Sequence, residues 1–189
     1  IMKAQGGSLN AVTLSLSRAE SISDTAIGAA EQISKLLIGM KETVVAAQGE
    51  DLSPQQRQAY MARFADQKAQ IETFVHNASF DDSNILNGSK PAGVSFIADS
   101  EATVTLTLSG RNFLPGLGIV TLDQHDDLHT PESAAETMRS LDQSIKNVGK
   151  ELTEMVSERK RIEAQKGFVL KLADALANAL AGPPQVHFE

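Results

Sequence analysis

The stretch from Leu9 to Ala47 reads LNAVTLSLSRAESISDTAIGAAEQISKLLIGMKETVVAA, and apolar residues recur along it at alternating spacings of three and four. This heptad repeat puts them on one face of a helix and indicates that the face packs along a partner helix. The repeat positions, of which only Ser23 is polar, are Leu9, Val12, Leu16, Ala19, Ser23, Ala26, Ala30, Ile33, Leu37, Met40, Val44 and Ala47. Such a helix is about 60 Å long, so we expect an elongated molecule and not one built around a pocket.

We predict that this first helix runs from Ser8 to Gln48. Gly6–Ser8 predicts a flexible approach with a cap at Ser8, and Gly49 predicts a left-handed residue that ends the helix. A second apolar stripe beside the first widens the buried face, which indicates more than one neighbour. Its members are Ile22, Ala29 and Leu36.

A second helix is predicted from Ser53, because Ser53, Pro54 and Gln56 form the pattern of a capping box with proline in the first helical position. Its apolar positions are Tyr60, Phe64, Gln67, Ile71, Phe74 and Ala78. The loop between the first two helices is short, so they should run antiparallel as a hairpin.

The segment 79–130 differs in character from the helices around it. Turn-forming residues occupy 81–84 and 87–88, and extended runs near 93–98 and 102–108 predict a β-hairpin closed at 99–101. After a turn at 114–118, the run Ile119–Leu122 predicts a third short strand.

A third long helix is predicted after Thr130 as the cap and Pro131 in the first position. The predicted apolar face of this helix consists of Ala134, Met138, Leu141, Ile145, Val148, Leu152, Met155, Ile162, Val169, Ala173, Leu176 and Leu180. Arg159 and Lys166 interrupt it beside the charged block 158–161. Polar residues at such positions fix the register or mark where the partner helix ends.

The predicted fold is therefore mainly α, an elongated antiparallel bundle of three long helices with a small β-hairpin insertion at one end. We assign 1–78 to the N-terminal helical hairpin, 79–130 to the turn motif and insertion, and 131–182 to the returning helix, all within one rod domain. The tail 183–189 follows a helix that Pro183 cannot continue, and the sequence leaves open whether it is native or added.

Composition excludes several classes of function. The net charge is −7, the aromatic content is 4% and cysteine is absent. We therefore expect no nucleic-acid partner, no membrane partner and no thiolate metal site.

Residues that could carry chemistry are few. His125 and His129 lie four apart among aspartates, but they precede the third helix, so we interpret them as part of a solvated acidic turn and not as a metal site. Gly116–Gly118 lacks the third glycine and the following helix of a phosphate-binding loop. We predict no catalytic residues, no cofactor and no enzymatic activity.

The chain resembles the core rod domain of bacterial flagellin, in the alphaproteobacterial variety. The resemblance rests on Gly7–Ala19, Ala29–Leu37 and Met40–Glu42, on the turn motif Ala78–Gly88, and on the return helix from Ser140 to Leu172. It implies an extracellular structural protein of the flagellar filament, exported by the flagellar secretion apparatus with a chaperone, which assembles with other flagellin subunits for motility. It also implies that this chain is a fragment without the two terminal polymerisation helices.

The resemblance further suggests site residues. The segment Ile38–Val45 matches the stretch where neighbouring subunits pack and where the animal Toll-like receptor for flagellin binds. Its candidate contact residues are Gly39, Met40, Lys41, Glu42 and Thr43. Gly39 stands in place of an arginine and Thr43 in place of a leucine, so we expect weak or no receptor activation. The turn motif is represented by Ser79, Phe80, Asn87 and Gly88, and we expect Phe80 to pack in the core.

Three other functions stay open at this point. A hook–filament junction protein shares the helical plan, although its insertion is usually larger. A flagellin-like cell-surface protein that binds a ligand, such as a polysaccharide, is a second alternative. A helical enzyme is the third and has no catalytic constellation to support it.

Overall fold

The structure, a computed structural model, describes residues 1–182. In this part of the chain there are three helices, α1 (Met2–Ala47), α2 (Pro54–His76) and α3 (Pro131–Ala181). Four short strands form two antiparallel hairpins, β1 (Ser79–Phe80) with β2 (Ser83–Asn84) and β3 (Val94–Ile97) with β4 (Thr105–Leu108). The prediction of a mainly helical protein with a small β-hairpin is confirmed. The predicted tail, 183–189, lies outside the described residues.

The apolar residues of the α1 heptad repeat form one side of the hydrophobic core along the length of the helix. All twelve predicted positions are buried, from Leu9 at 6% exposure to Ala47 at 0%, and they include the polar Ser23. Helix α1 packs against both α3 and α2, which explains why its apolar face is wider than a two-helix seam. This repeat was the strongest signal in the sequence, and it is confirmed in full.

Helices α1 and α3 run antiparallel. Lys41 near the end of α1 reaches Asp142 near the start of α3 at 3.1 Å, and Gly6 lies against Leu176 at the other end of the pair. The prediction of a flexible segment at Gly6–Ser8 is therefore wrong. The helix begins at Met2, because α3 continues alongside it and supplies a packing surface for these residues.

The end of α1 also differs from the prediction. Gly49 does not adopt the left-handed conformation, and Gln48 is still α-helical in its dihedral angles. The guanidinium of Arg57 donates to the carbonyls of Ala47 and Gly49, each at 2.9 Å. A side chain thus satisfies the helix-terminal carbonyls for which a left-handed glycine was expected.

The starts of α2 and α3 agree with the sequence. Ser53 accepts from the Gln56 N–H at 3.1 Å, while the Gln56 side chain accepts from the Ser53 N–H at 2.9 Å. Thr130 and Ser133 make the corresponding reciprocal pair at the start of α3. Proline occupies the first helical position in both. Both predicted capping arrangements are confirmed.

An irregular segment, 113–128, lies between α2 and α3. Its buried apolar residues are Phe113, Val120, Leu122 and Leu128. Lys68 of α2 donates to the Asp123 carbonyl at 3.4 Å, and Thr121 binds Ser140 and Ser144 of α3. The third strand predicted at Ile119–Leu122 is wrong, because side chains of α3 take the place of a partner strand.

The β3–β4 hairpin lies along the helices. Val94 pairs with Leu108 and Ile97 with Thr105, and Phe96 and Leu108 turn into the core. Gln165 of α3 donates to the Ala98 carbonyl at 2.6 Å and so fixes the hairpin's far end. The predicted pair of extended runs is therefore confirmed in type and position.

Candidate subunit-contact surface

The predicted contact segment divides into an inner and an outer half. Met40 and Thr43 are buried at 0% and 1% exposure, whereas Gly39, Lys41 and Glu42 are exposed. A Cβ atom added at Gly39 would meet no atom within 4 Å, so this position is open to an approaching partner. Only the three exposed residues are available to a neighbouring molecule.

The inner residues and Lys41 are used within the molecule. The Thr43 hydroxyl donates to the Gln67 side chain of α2 at 3.1 Å, and Lys41 pairs with Asp142 of α3. This segment of α1 is therefore held from both sides before any partner arrives. Rigid presentation of this kind lowers the ordering cost of binding.

Two apolar side chains flank the exposed half of this segment. Ile38 is 53% exposed and Val45 is 59% exposed, and they lie seven residues apart on the same helix face as Glu42. Both stand at the ends of the stretch Ile38–Val45 that the resemblance marks, but the predicted contact residues, Gly39–Thr43, leave them out. The signal was present, since both are apolar residues at heptad spacing that lie off the main seam.

The turn motif folds into a two-residue hairpin. Ser79 pairs with Asn84 and Phe80 with Ser83, while Asp81 and Asp82 take positive φ angles of 51° and 61°. The Asn84 side chain donates to the Val75 carbonyl at the end of α2 at 2.8 Å and accepts from the Leu86 N–H. The motif therefore ends α2 and redirects the chain.

Asn87 and Gly88 hold the second half of the motif. Asn87 bridges to Asn112, and Gly88 has φ 77° with its Cα so close to Asn112 that an added Cβ would lie 2.5 Å from that amide. Any other residue at Gly88 would be strained and would clash. Asn87 and Gly88 therefore have a structural role, since their contacts with Asn112 join the turn motif to the segment after β4.

The expectation that Phe80 packs in the core is wrong. Its ring is 37% exposed, whereas its pairing partner Ser83 is buried. Arg18 of α1 accounts for this arrangement, since it reaches the Asp81 carboxylate at 3.6 Å and the Ser83 hydroxyl at 3.4 Å. These polar contacts of Arg18 hold the β1–β2 hairpin against α1. Because side chains alternate between the two faces of a strand, Phe80 then points outward.

Charged residues that interrupt the apolar face of α3 set its register against α1. Arg159 pairs with Asp24 at 2.8 Å and with Glu20 at 3.3 Å, and Lys166 reaches Glu20 at 3.6 Å. The hydrogen bond to Asp24 raises the pKa of Arg159, with burial opposing it. Of the two interpretations of these interruptions, the structure supports a role in register.

Sequence reasoning missed a buried ionic cluster at the base of the β3–β4 hairpin. Arg111 is 8% exposed, and its guanidinium contacts Glu151 at 2.6 Å, Glu158 at 3.1 Å and Glu154 at 3.5 Å, all on α3. Glu158 also accepts from the Ser109 N–H at 2.9 Å. The cluster fastens the hairpin to α3, and only the tertiary fold brings 111 and 158 together.

Mutual contacts decide the charge states in this cluster. Burial alone would raise the pKa of Glu158, but hydrogen bonds from Arg111 and from the Ser109 N–H outweigh it and hold that pKa below its usual value. Burial likewise opposes the charged form of Arg111, while Glu151 and Glu158 raise its pKa. Both partners therefore stay ionised at neutral pH.

The two histidines lie in the loop before α3, as predicted. Their side chains are 83% and 65% exposed, and each backbone N–H donates to the aspartate two residues earlier, Asp123 or Asp127. The structure does not bring them together with a third metal-ligating side chain among residues 1–182. Within the same range, no helix has both the length and the apolar character needed to span a bilayer.

Comparison with known proteins gives one consistent family signal. Residues 1–91 match the family model described as the bacterial flagellin N-terminal helical region. The chain is 36% identical over 148 residues to flagellin FljJ of Caulobacter vibrioides, a match that covers 78% of this chain and 54% of the relative. It is 30% identical over 174 residues to flagellin FljO of the same organism, covering 92% and 62%. The chain thus spans little more than half the length of these relatives.

Solved structures agree at the level of the fold. The crystal structure of Bacillus cereus flagellin superposes with a TM-score of 0.71 at 16% identity, covering 80% of this chain and 86% of that one. A putative flagellar hook-associated protein from Vibrio parahaemolyticus gives a TM-score of 0.67 at 14% identity, covering 92% and 93%. At these identities the likeness concerns the fold alone.

Proposed function

Because the chain belongs to the bacterial flagellin family, we propose that it is a structural subunit of the flagellar filament and assembles with identical copies through the outer faces of its long helices. One observation carries this proposal. The buried repeat of α1 is fully used inside the molecule, while a second set of residues on the same helix, including Ile38 and Val45, stays exposed. An exposed apolar residue set on a rigid helix suits a contact repeated many times in a lattice.

The proposed shape of the subunit is an elongated antiparallel bundle, divided as 1–78, 79–130 and 131–182 within one rod domain. The antiparallel ion pairs between α1 and α3 and the short loop before α2 support it. In this proposal α2 and the β3–β4 hairpin occupy successive positions beside the α1–α3 pair. The segment 113–128 fills the space between α2 and α3.

The proposed setting is the outside of the cell. Flagellins are structural proteins and not enzymes, and we propose that this chain is exported by the flagellar secretion apparatus with an export chaperone. Its partners are then other flagellin subunits, without nucleic acid or membrane. The net charge of −7 supports the absence of nucleic-acid and membrane partners, because polyanions and anionic surfaces repel a protein of this charge.

Analysis of sheared filaments tests the function. Filaments are sheared from cells that express the gene product with this chain, and peptides from α1 and α3 are quantified by mass spectrometry. We expect them at the abundance of a filament subunit. Peptides present only at the trace level of a junction protein, or only in the cell fraction, would contradict the proposal and favour a hook-associated or cell-surface protein.

We also expect this chain to be a poor agonist of the Toll-like receptor for flagellin. Gly39 offers no guanidinium, and Thr43 is buried against Gln67, so these two positions supply neither the arginine nor the leucine of the receptor-binding stretch. The measurement is a reporter-cell assay over a range of protein concentrations. Gly39→Arg should raise the response or leave it unchanged, and strong activation by the unaltered chain at low dose would refute the expectation.

A further inference from the structure

A basic stripe runs along the outer face of α3. Every third or fourth residue from 139 to 171 is exposed and lies opposite the buried face of the helix. The stripe consists of Arg139, Gln143, Lys146, Lys150, Thr153, Ser157, Arg161, Ala164, Phe168 and Lys171. Five of these residues are cations and none is acidic, in a chain whose net charge is −7. Positive charge is therefore concentrated on the outer face of α3.

The cations of the basic stripe are not used within the described chain. Ion pairs within residues 1–182 involve other basic side chains, such as Arg111, Arg159 and Lys166. Between Lys150 and Arg161 the stripe carries only Thr153 and Ser157, which are short, and the half-exposed Glu154 beside them pairs with Arg111. Another helix could approach this part closely while the flanking cations reach its charges.

The outer face of α1 carries a complementary stripe. It consists of Asp24, Gly28, Glu31, Lys35, Ile38, Glu42 and Val45, again at alternating spacings of four and three, and all are exposed. Three carboxylates outnumber the single cation, Lys35. Glu31 and Glu42 take part in no ion pair within the described residues. This outer α1 stripe also contains Ile38 and Val45, the exposed apolar residues described above.

The two stripes match in spacing. Glu31 and Glu42 are eleven residues apart, as are Lys150 and Arg161. At the rise of an α-helix both separations are about 16 Å, so two ion pairs could form at once between the two helices. We propose that the basic stripe of α3 binds the outer α1 stripe of a second copy of this chain, with Lys150 and Arg161 facing Glu31 and Glu42.

This pairing deepens the proposed function, on which it rests, by naming the surfaces that meet. It joins two unlike surfaces, which in one subunit border the same groove where Glu31 lies with Thr153 and Ser157. A contact between unlike surfaces leaves one of each free to bind a further copy, which allows an open helical assembly. Copies of a protein with charge −7 repel one another overall, so complementary local faces also select one relative orientation. Ile38 and Val45 then add apolar burial to an otherwise polar contact.

The test is a charge swap measured by sedimentation velocity at low salt and at increasing protein concentration. The unaltered chain should self-associate, and the association should weaken as sodium chloride is added. The variant with Lys150→Glu and Arg161→Glu should weaken self-association roughly tenfold, as should the variant with Glu31→Lys and Glu42→Lys. The quadruple variant, in which both stripes are reversed, should regain most of it. Circular dichroism checks that each variant is folded.

A matched control separates this contact from a general effect of charge. Arg63→Glu and Lys90→Glu change the same number of exposed charges on α2 and in a loop, and this variant should associate like the unaltered chain. Failure of the quadruple variant to recover, or equal weakening in the control, would overturn the pairing while filament membership stands on the shearing experiment. An unaltered chain that stays monomeric at every concentration, whether or not its basic stripe binds heparin or anionic vesicles, would also overturn the pairing.

Discussion

Leu37→Ala is expected to lower the free energy of unfolding by about 3 kcal/mol. Leu37 is fully buried and is the ninth of the twelve positions of the α1 repeat. It lies one to two turns before Lys41 and Thr43, which contact Asp142 of α3 and Gln67 of α2. Truncation removes the buried methyl groups and leaves a cavity that rigid neighbouring helices cannot close. The measurement is denaturant unfolding followed by circular dichroism, with the midpoint and slope compared between variant and parent protein.

The adjacent residue supplies a matched control. Ile38 belongs to the same helix turn but is 53% exposed, so Ile38→Ala should change the free energy of unfolding by less than about 0.5 kcal/mol. Both variants keep the helix propensity high, since alanine is the best helix former. Equal losses at the two positions would show that α1 does not bury the face assigned to it.

The second large effect is expected for Arg111→Ala, which should lower the free energy of unfolding by about 3 kcal/mol. Removal of the guanidinium leaves Glu158 buried at 7% exposure without its main counter-charge and detaches the base of the β3–β4 hairpin from α3. Arg18→Ala is the control, because its ion pair with Asp81 lies at the surface and should contribute no more than about 1 kcal/mol. A loss at Arg111 no larger than at Arg18 would contradict the role of the buried cluster.

The stability that the ion pair of Arg111 and Glu158 contributes should depend on pH. The pKa of Glu158 is lower in the folded protein than its usual value of 4.5, so ionised Glu158 stabilises the fold above that pH. This contribution is lost as the pH falls through the folded-state pKa, below 4.5. The difference in unfolding free energy between the parent protein and Arg111→Ala should therefore shrink between neutral pH and pH values below 4.5. A constant difference over that range would show that the ion pair is not its source.

Periodicity predicted the helical part of the fold. The repeat of α1, the caps of α2 and α3 and the two extended runs of the β3–β4 hairpin are local patterns, and the structure confirms them. Each depends on residues within a few positions of one another, so the sequence alone contains the necessary information. Charged residues within the α3 repeat also signalled that something other than apolar packing sets the register.

The errors share a cause, which is that distant side chains override a local preference. Arg57 takes over the capping role expected of Gly49, and Ser144 binds the backbone at Thr121 where a strand was expected. The cluster of Arg111 with Glu158 joins residues 47 positions apart. No spacing rule predicts such a contact, because it depends on how the hairpin lies on α3.

The contact surface was predicted only in part. The resemblance marked the stretch Ile38–Val45, and Gly39–Thr43 were the contact residues chosen from it. Helical geometry turns Met40 and Thr43 inward and leaves Ile38 and Val45 outside. The buried repeat drew attention to one face of α1, whereas the residues available for assembly occupy the opposite face. A search for a second apolar heptad off the main seam would have found them.

The central claim is that identical copies meet through the outer faces of the long helices. A cryo-electron microscopy reconstruction of the filament formed by the gene product with this chain measures this directly. We expect α1 and α3 to lie side by side within each subunit, and the outer α1 stripe, including Ile38 and Glu42, to lie against a neighbouring copy. A reconstruction in which that stripe faces solvent in every subunit, or in which this chain is absent from the filament, would contradict it.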